Sequence, residues 1–387
     1  MPAVGRRLLI NLAPFFILAV IIVIYLCPMI TNVSTPGGDG IRVFPYIEFV
    51  NNSKSFYPLW NPYNLGGVPT LAGPEKFVWL GRLIDVNYKY ANLAFNSILI
   101  FAAISIAFSI YALARELSIS KAGSIIAGFV FSCSQLPKLF LDSGAIYCLE
   151  ALLLINLAIL LYIRYLRSRN VWYVFFTCLA TGATFAIMGY YTLVMLLPFM
   201  LLLGYYYEKK YRAQSTNFIK PFIHLVIFSL GGFLFFSVVI LPIIKYSLLT
   251  YIKVKPEFLL GDRLPALGSF LNIFIPIDIN RYGEDFFHFT SIVSSVLLTL
   301  LIINIKHFKA KPVSIFIFLI GFSFLFLLGS IYPFKLLISL IQKIPLFWQI
   351  RHSLIFYYII SLSMSFLLGF GYDAIGVHDP QGKHKKF

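Results

Sequence analysis

Carboxylates and cations in this chain are gathered into a few polar segments that separate long apolar runs. Asp39 follows "STPGG", Glu75 follows Pro74, and Asp278, Glu284 and Asp285 share the segment "PIDINRYGED". Arg42, Arg281, Arg351 and His352 stand in segments of the same kind. A carboxylate in such a place can take a proton from a hydroxyl, and an arginine can meet a phosphate with two parallel hydrogen bonds. Asp278, Glu284 and Asp285, together with Asp39, have the oxygens a divalent cation needs. No DxD or His/carboxylate cluster specifies one, so metal dependence is unknown at this level. Each residue also has a structural duty open to it. Asp39 stands where a helix N-cap would, and Glu75 after a proline complements a helix dipole. Arg351 lies among Phe347, Trp348 and Phe356, where arginine commonly anchors a span end, and His352 suits an ordinary polar loop.

The elements that must hold these residues are set by composition. The chain of 387 residues is 59% hydrophobic and 12% charged, with a mean hydropathy of +0.85. Too little polar surface remains to cover a soluble globule, so the reading is an all-α polytopic membrane protein. The formal net charge of +16 does not indicate nucleic acid, because the basic residues fall in short clusters between apolar runs rather than on one readout face. Cys27, Cys133, Cys148 and Cys178 lie in or beside apolar segments with no CxxC spacing and read as buried small hydrophobes. Cys133 and Cys148 do flank one predicted outer turn. The apolar run after Arg6-Arg7 is too long for a signal-peptide core and lacks a small-residue cleavage site, which makes it a retained first span.

Ten apolar runs are long enough to cross a bilayer singly or as a short pair, at about 8–29, 92–114, 122–136, 148–163, 171–188, 191–207, 221–244, 290–305, 313–331 and 353–372. The stretch 171–207 is too long for one span, and "GYYT" in its middle offers a turn, so two short helices are expected there. With both termini cytoplasmic and the chain in the plasma membrane, the inside segments hold 17 of the 31 basic residues on the shorter total loop length. Eleven of the 15 carboxylates fall at or near the outer face. Mid-depth ionisable residues are almost absent, which disfavours ion-coupled transport. The long loops, 30–91, 245–289 and 332–352, are all expected outside, and chemistry is expected there too. The whole chain, 1–387, reads as a single transmembrane domain.

The first outer loop has internal order. The segment 41–53 is apolar with scattered polar residues, and "PEKFVWLGRLIDVNYKYANL" suits a helix lying in the interface plane. Between them "YPLWNPYNLGGVPT" is rich in turn formers and aromatics and carries no charge. It reads as a rigid turn joining two surface helices, its aromatics at headgroup depth.

Asp39, "FPYIEF" and "YPLWNPYNLGGVPTLAGPE", in that order, resemble the first outer loop of YfhO-type membrane proteins of the GT-C glycosyltransferase class. A pattern close to W-N-P-Y-x-x-G-x-P-x-x-A-x-P-[QE] marks that family, and Trp60, Asn61, Pro62, Tyr63, Gly66 or Gly67, Pro69, Ala72, Pro74 and Glu75 fill it here. "VVILPIIKYS", "FIPIDINRYGED" and "IPLFWQIRHSLIFYYIISLSMSFLLGFGYD" are similar to later segments of the family in the same order. Arg351-His352-Ser353 departs from the family by lacking its proline and second arginine. The chain also ends soon after the tenth run, where many members continue, which implies a short or C-terminally truncated variant.

The resemblance implies a GT-C-like fold and an enzyme. It would move a sugar, with inversion, from a polyprenyl-phosphate donor to an extracytoplasmic acceptor such as a cell-wall polymer, glycolipid or protein. Asp39 would be the base, and Arg351, Arg281 and His352 would meet the donor phosphate. Trp60, Asn61, Tyr63 and Glu75 would line the substrate. The alternative is a non-catalytic relative, or a flippase or binding protein for a lipid-linked glycan. The partners implied are the lipid-linked sugar, membrane lipid and the acceptor; a partner membrane protein stays open, and nucleic acid is not expected.

Overall fold

The computed structural model describes residues 3–31, 60–61, 68–69, 91–134, 146–188, 191–212, 218–237, 291–309, 311–327 and 354–375, with isolated positions at 137, 140–141, 240–241 and 336. Ten α-helices stand among them: α1 (Ala3–Thr31), α2 (Ala91–Glu116), α3 (Lys121–Ser132), α4 (Ile146–Ser168), α5 (Val171–Met188), α6 (Tyr191–Arg212), α7 (Ile219–Phe235), α8 (Ser291–Ile303), α9 (Val313–Leu327) and α10 (Leu354–Ile375). Each coincides with one of the ten apolar runs. Apolar runs fold as helices because a helix satisfies its own backbone groups where no water can. Four stretches are long and apolar enough to cross a membrane: Leu93–Glu116, Ile146–Ser168, Val171–Met188 and Phe356–Ile375. Shorter apolar helical stretches occur at Leu12–Cys27, Lys121–Ser132, Ile219–Phe235 and Val313–Leu325. The only strands among the described residues are β1 (Trp60–Asn61) and β2 (Val68–Pro69).

The chain divides into two compact units, one made of residues 1–109 and 137–252, the other of 110–136 and 253–387. In the first unit α4 packs on α5 and α6, and α7 packs on α5 and α6. Its interior is aliphatic and aromatic, with Leu152, Ile155, Ile159 and Phe199 all inaccessible to solvent. A polar contact within this unit runs from the Asn156 amide to the Ser109 hydroxyl at 3.2 Å, and both residues are buried. Burying an amide without such a partner would cost more than the bond returns. The α5–α7 contact is a backbone approach: a Cβ on Gly182 would lie 2.4 Å from the Gly232 carbonyl oxygen. Only glycine lets the two helices meet so closely.

In the second unit α10 is central, packing against α3, α8 and α9. Phe131 of α3 meets Tyr358 edge-on at 5.9 Å, and Phe316 of α9 meets Phe366 at 5.1 Å. The turn from α2 to α3 is fastened by four hydrogen bonds. Ser118 adopts φ 65°, ending α2 in the left-handed conformation, and Ser120 caps α3 by accepting from the Gly123 N–H at 3.0 Å. The Asp373 carboxylate, at the far end of α10, accepts the Ser120 N–H at 3.0 Å. The Arg115 guanidinium donates to the Ile119 carbonyl and the Lys311 ammonium to the Ser118 carbonyl.

All four cysteines are free thiols; Cys133, Cys148 and Cys178 are buried and Cys27 is exposed. The first three behave as the small hydrophobes their sequence setting suggested.

Candidate functional site

Six of the predicted site residues, Asp39, Tyr63, Glu75, Arg281, Arg351 and His352, lie outside the described residues, as do the expected surface helices at 41–53 and from Pro74. Trp60 and Asn61 are placed by their backbone. They form β1 and pair antiparallel with β2, Trp60 opposite Pro69 and Asn61 opposite Val68. Within "YPLWNPYNLGGVPT" these two strands are hydrogen-bonded neighbours, with residues 62–67 between them in the chain. Proline has no N–H to give a ladder, so Pro69 fits a two-stranded pairing where one side of each strand is unpaired. Tyr57, Trp79 and the other aromatics of this loop are likewise outside the described residues. Among the described residues no group of three His, Cys, Asp or Glu side chains is placed to hold a metal ion.

The described residues do contain one polar constellation, at the end of the first unit where α4 and α6 finish and α5 and α7 begin. Helix α4 ends at Ser168, and Arg169 turns the chain with φ 56°, its N–H bonded to the Tyr165 carbonyl at 2.8 Å. Asn170 then caps α5, its side-chain oxygen accepting from the Trp172 N–H at 3.0 Å. This geometry aims the Arg169 side chain across to α6, where it forms an ion pair with Glu208. Glu208 is 1% exposed and Arg169 29% exposed. The same guanidinium sits over the Tyr165 ring, 5.0 Å from its centroid. Burial works against the Arg169 charge, but hydrogen bonds to Glu208 and Tyr165 and the nearby carboxylate outweigh it and raise its pKa above the ordinary guanidinium value.

Beside this pair the Tyr162 hydroxyl lies 3.4 Å from His224 Nδ1, and the His224 ring stands edge-on to Tyr165 at 5.4 Å. Gly204 makes room for that hydroxyl, since a Cβ there would fall 2.3 Å from it. Further out, Arg167 lies over the Tyr207 ring at 5.6 Å and Lys210 over Tyr206 at 5.6 Å. Tyr205 stacks on Phe218 at 4.4 Å, which brings the end of α6 against the start of α7.

Chemically this constellation is a clamp. It ties together four helix ends with charge-assisted and ring contacts. Glu208 is a buried residue of the last turns of α6. One signal was available, since Glu208 is the sole carboxylate between residues 151 and 256 and stands among seven arginines and lysines over 151–244. A lone acid in such a run has a cation to find. No protein-family model matches the chain, and no curated protein matches it.

Proposed function

We propose that the chain is a GT-C type glycosyltransferase with about ten transmembrane helices in the plasma membrane, drawing its sugar from a polyprenyl-phosphate donor on the extracytoplasmic side. The observation that carries this reading is the order of residues from Asp39 through the hairpin motif to Glu75, followed by three further similar segments in sequence. Nucleotide sugars do not cross membranes, so an outer-face transferase needs a donor anchored in lipid. The excess of carboxylates in the outer segments and the near-absence of mid-depth charge fit such an enzyme better than an ion-coupled transporter. The pairing of Trp60–Asn61 with Val68–Pro69 is consistent with it, since it brings these two parts of the motif side by side.

In the proposed reaction an acceptor hydroxyl attacks the anomeric carbon while Asp39 takes its proton. The new glycosidic C–O bond forms as the bond from that carbon to the phosphate oxygen breaks. The leaving polyprenyl phosphate is met by Arg351, with Arg281 and His352 as further phosphate ligands. Trp60, Asn61, Tyr63 and Glu75 contact the sugar.

The test is Asp39→Asn in membranes supplied with polyprenyl-phosphate hexoses carrying a radiolabel. Loss of a general base lowers the rate by about 10²–10⁴-fold, so transfer should fall at least about 100-fold with the protein still inserted. Transfer at the full wild-type rate would remove Asp39 as base and leave the lipid-linked-glycan binding reading in its place.

A further inference from the structure

Exposed cations flank the clamp at the end of the first unit. Arg169 pairs with Glu208; Lys209, Lys210, Lys220 and Arg167 are exposed. They share one end of the unit. Arg167 lies over Tyr207 of α6, Lys210 over Tyr206, and Phe218, two residues before Lys220, stacks on Tyr205. No carboxylate other than Glu208 occurs between residues 151 and 256, so the chain around this end carries almost no balancing charge.

Exposed apolar side chains occur at the starts of α5 and α7. Trp172 is 62% exposed at the start of α5, and Phe218, Ile219, Phe222 and Ile223 form an open face on the first turns of α7. Basic tips above an aromatic and aliphatic face match an amphiphile with an anionic headgroup and acyl chains. A soluble anion would match the cations but leave that face uncovered.

We propose that the end of the first unit, formed by α4, α5, α6 and α7, is a binding site for an anionic glycerophospholipid of the adjoining leaflet. Lys209, Lys210 and Lys220 hold the headgroup phosphate with Arg167, and the α7 face takes the acyl chains. The site lies in the leaflet at the end of the helices expected to face the cytoplasm. It is independent of the proposed transferase chemistry, and its readout is lipid retention rather than sugar transfer.

Full-length protein would be extracted in mild detergent, mixed with equal amounts of phosphatidylglycerol and phosphatidylcholine, and weighed by native mass spectrometry. Phosphatidylglycerol should be retained preferentially, and the triple variant K209Q/K210Q/K220Q should lose that preference on the order of ten-fold, given the contribution of each basic residue near an anionic surface. Because the three lysines are exposed, the variant should elute and melt like the wild type. A variant of equal charge loss in the tail, K383Q/K385Q/K386Q, should keep the preference. Equal retention of both lipids by the wild type, an unchanged triple variant, or equal loss in the tail variant would overturn the proposal. Displacement of the lipid by inorganic phosphate at matched concentration would also overturn it, because the site would then be for the free anion. If the triple variant misfolds, enrichment of labelled phosphatidylglycerol around wild-type protein in phosphatidylcholine vesicles decides the same question. Enrichment that falls with added salt supports the site, and its absence removes it.

Discussion

Arg169 meets two demands at once, a left-handed backbone at φ 56° and a side chain that neutralises a carboxylate 1% exposed. The two can be separated by substitution. Arg169→Gly keeps the turn easy, because glycine adopts positive φ without strain, and removes only the cation. Breaking a buried pair by deleting one partner costs about 3–5 kcal/mol, and with Arg169 partly exposed the loss should fall near the lower end of that range. Glu208→Gln removes the charge that needs compensating, so the double variant R169G/E208Q should recover part of the loss. Thermal unfolding of the purified protein checks this, and strictly additive melting shifts would show that the two side chains do not interact. The sign of any pH dependence follows from the raised Arg169 pKa. Stability contributed by a cation with a raised folded value is fully present below its unfolded value and is lost only as pH rises through the folded one. Both lie far into the alkaline range, so from this side of the pair stability should be flat across neutral pH.

Helices were the legible part of this molecule. The ten apolar runs coincide with the ten helices of the described residues, and the split of 171–207 at "GYYT" agrees with helices ending at Met188 and starting at Tyr191. Hydrophobic length and a turn signal suffice for that, since an apolar segment has few alternatives in lipid. What holds helices to one another was not legible. The Gly182–Gly232 approach needs two glycines fifty residues apart to face each other, and no local pattern states that. Of the candidate site, the hairpin nature of "WNPYNLGGVP" was half legible: its turn formers announced a turn, while the antiparallel register of Trp60 with Pro69 is a pairing property. Gly182→Ala should therefore destabilise, because its Cβ would meet backbone at 2.4 Å and one helix must move. Overpacking of this kind costs roughly 1–3 kcal/mol or more. Gly321→Ala is the control, with nothing within 4 Å of the added Cβ. It should be neutral or gain up to about 1 kcal/mol from backbone propensity. Melting temperatures of the two variants should separate in that order, and an equal response would mean that the α5–α7 contact does not govern stability.

The charge pattern becomes a statement about the whole chain only once the chain's path is known. The Arg169–Glu208 pair puts the start of α5 and the end of α6 at one end of the first unit, so the chain reverses between them. Had 171–207 crossed as one span, Ser168 and Lys210 would lie on opposite sides of the membrane and every later segment would change sides. Cysteine labelling in intact cells reads this directly. The exposed Cys27 is first changed to serine, and the three buried thiols give little background. Ser168→Cys and Lys210→Cys should both resist a membrane-impermeant maleimide until the cells are opened, while Asn64→Cys, in the hairpin loop, should label at once. Labelling of residues 168 and 210 from opposite sides would remove the α5–α6 reversal. Labelling of residue 64 only after the cells are opened would invert the orientation and move Asp39 and Arg351 to the cytoplasmic face, where a lipid-linked sugar donor is no longer required.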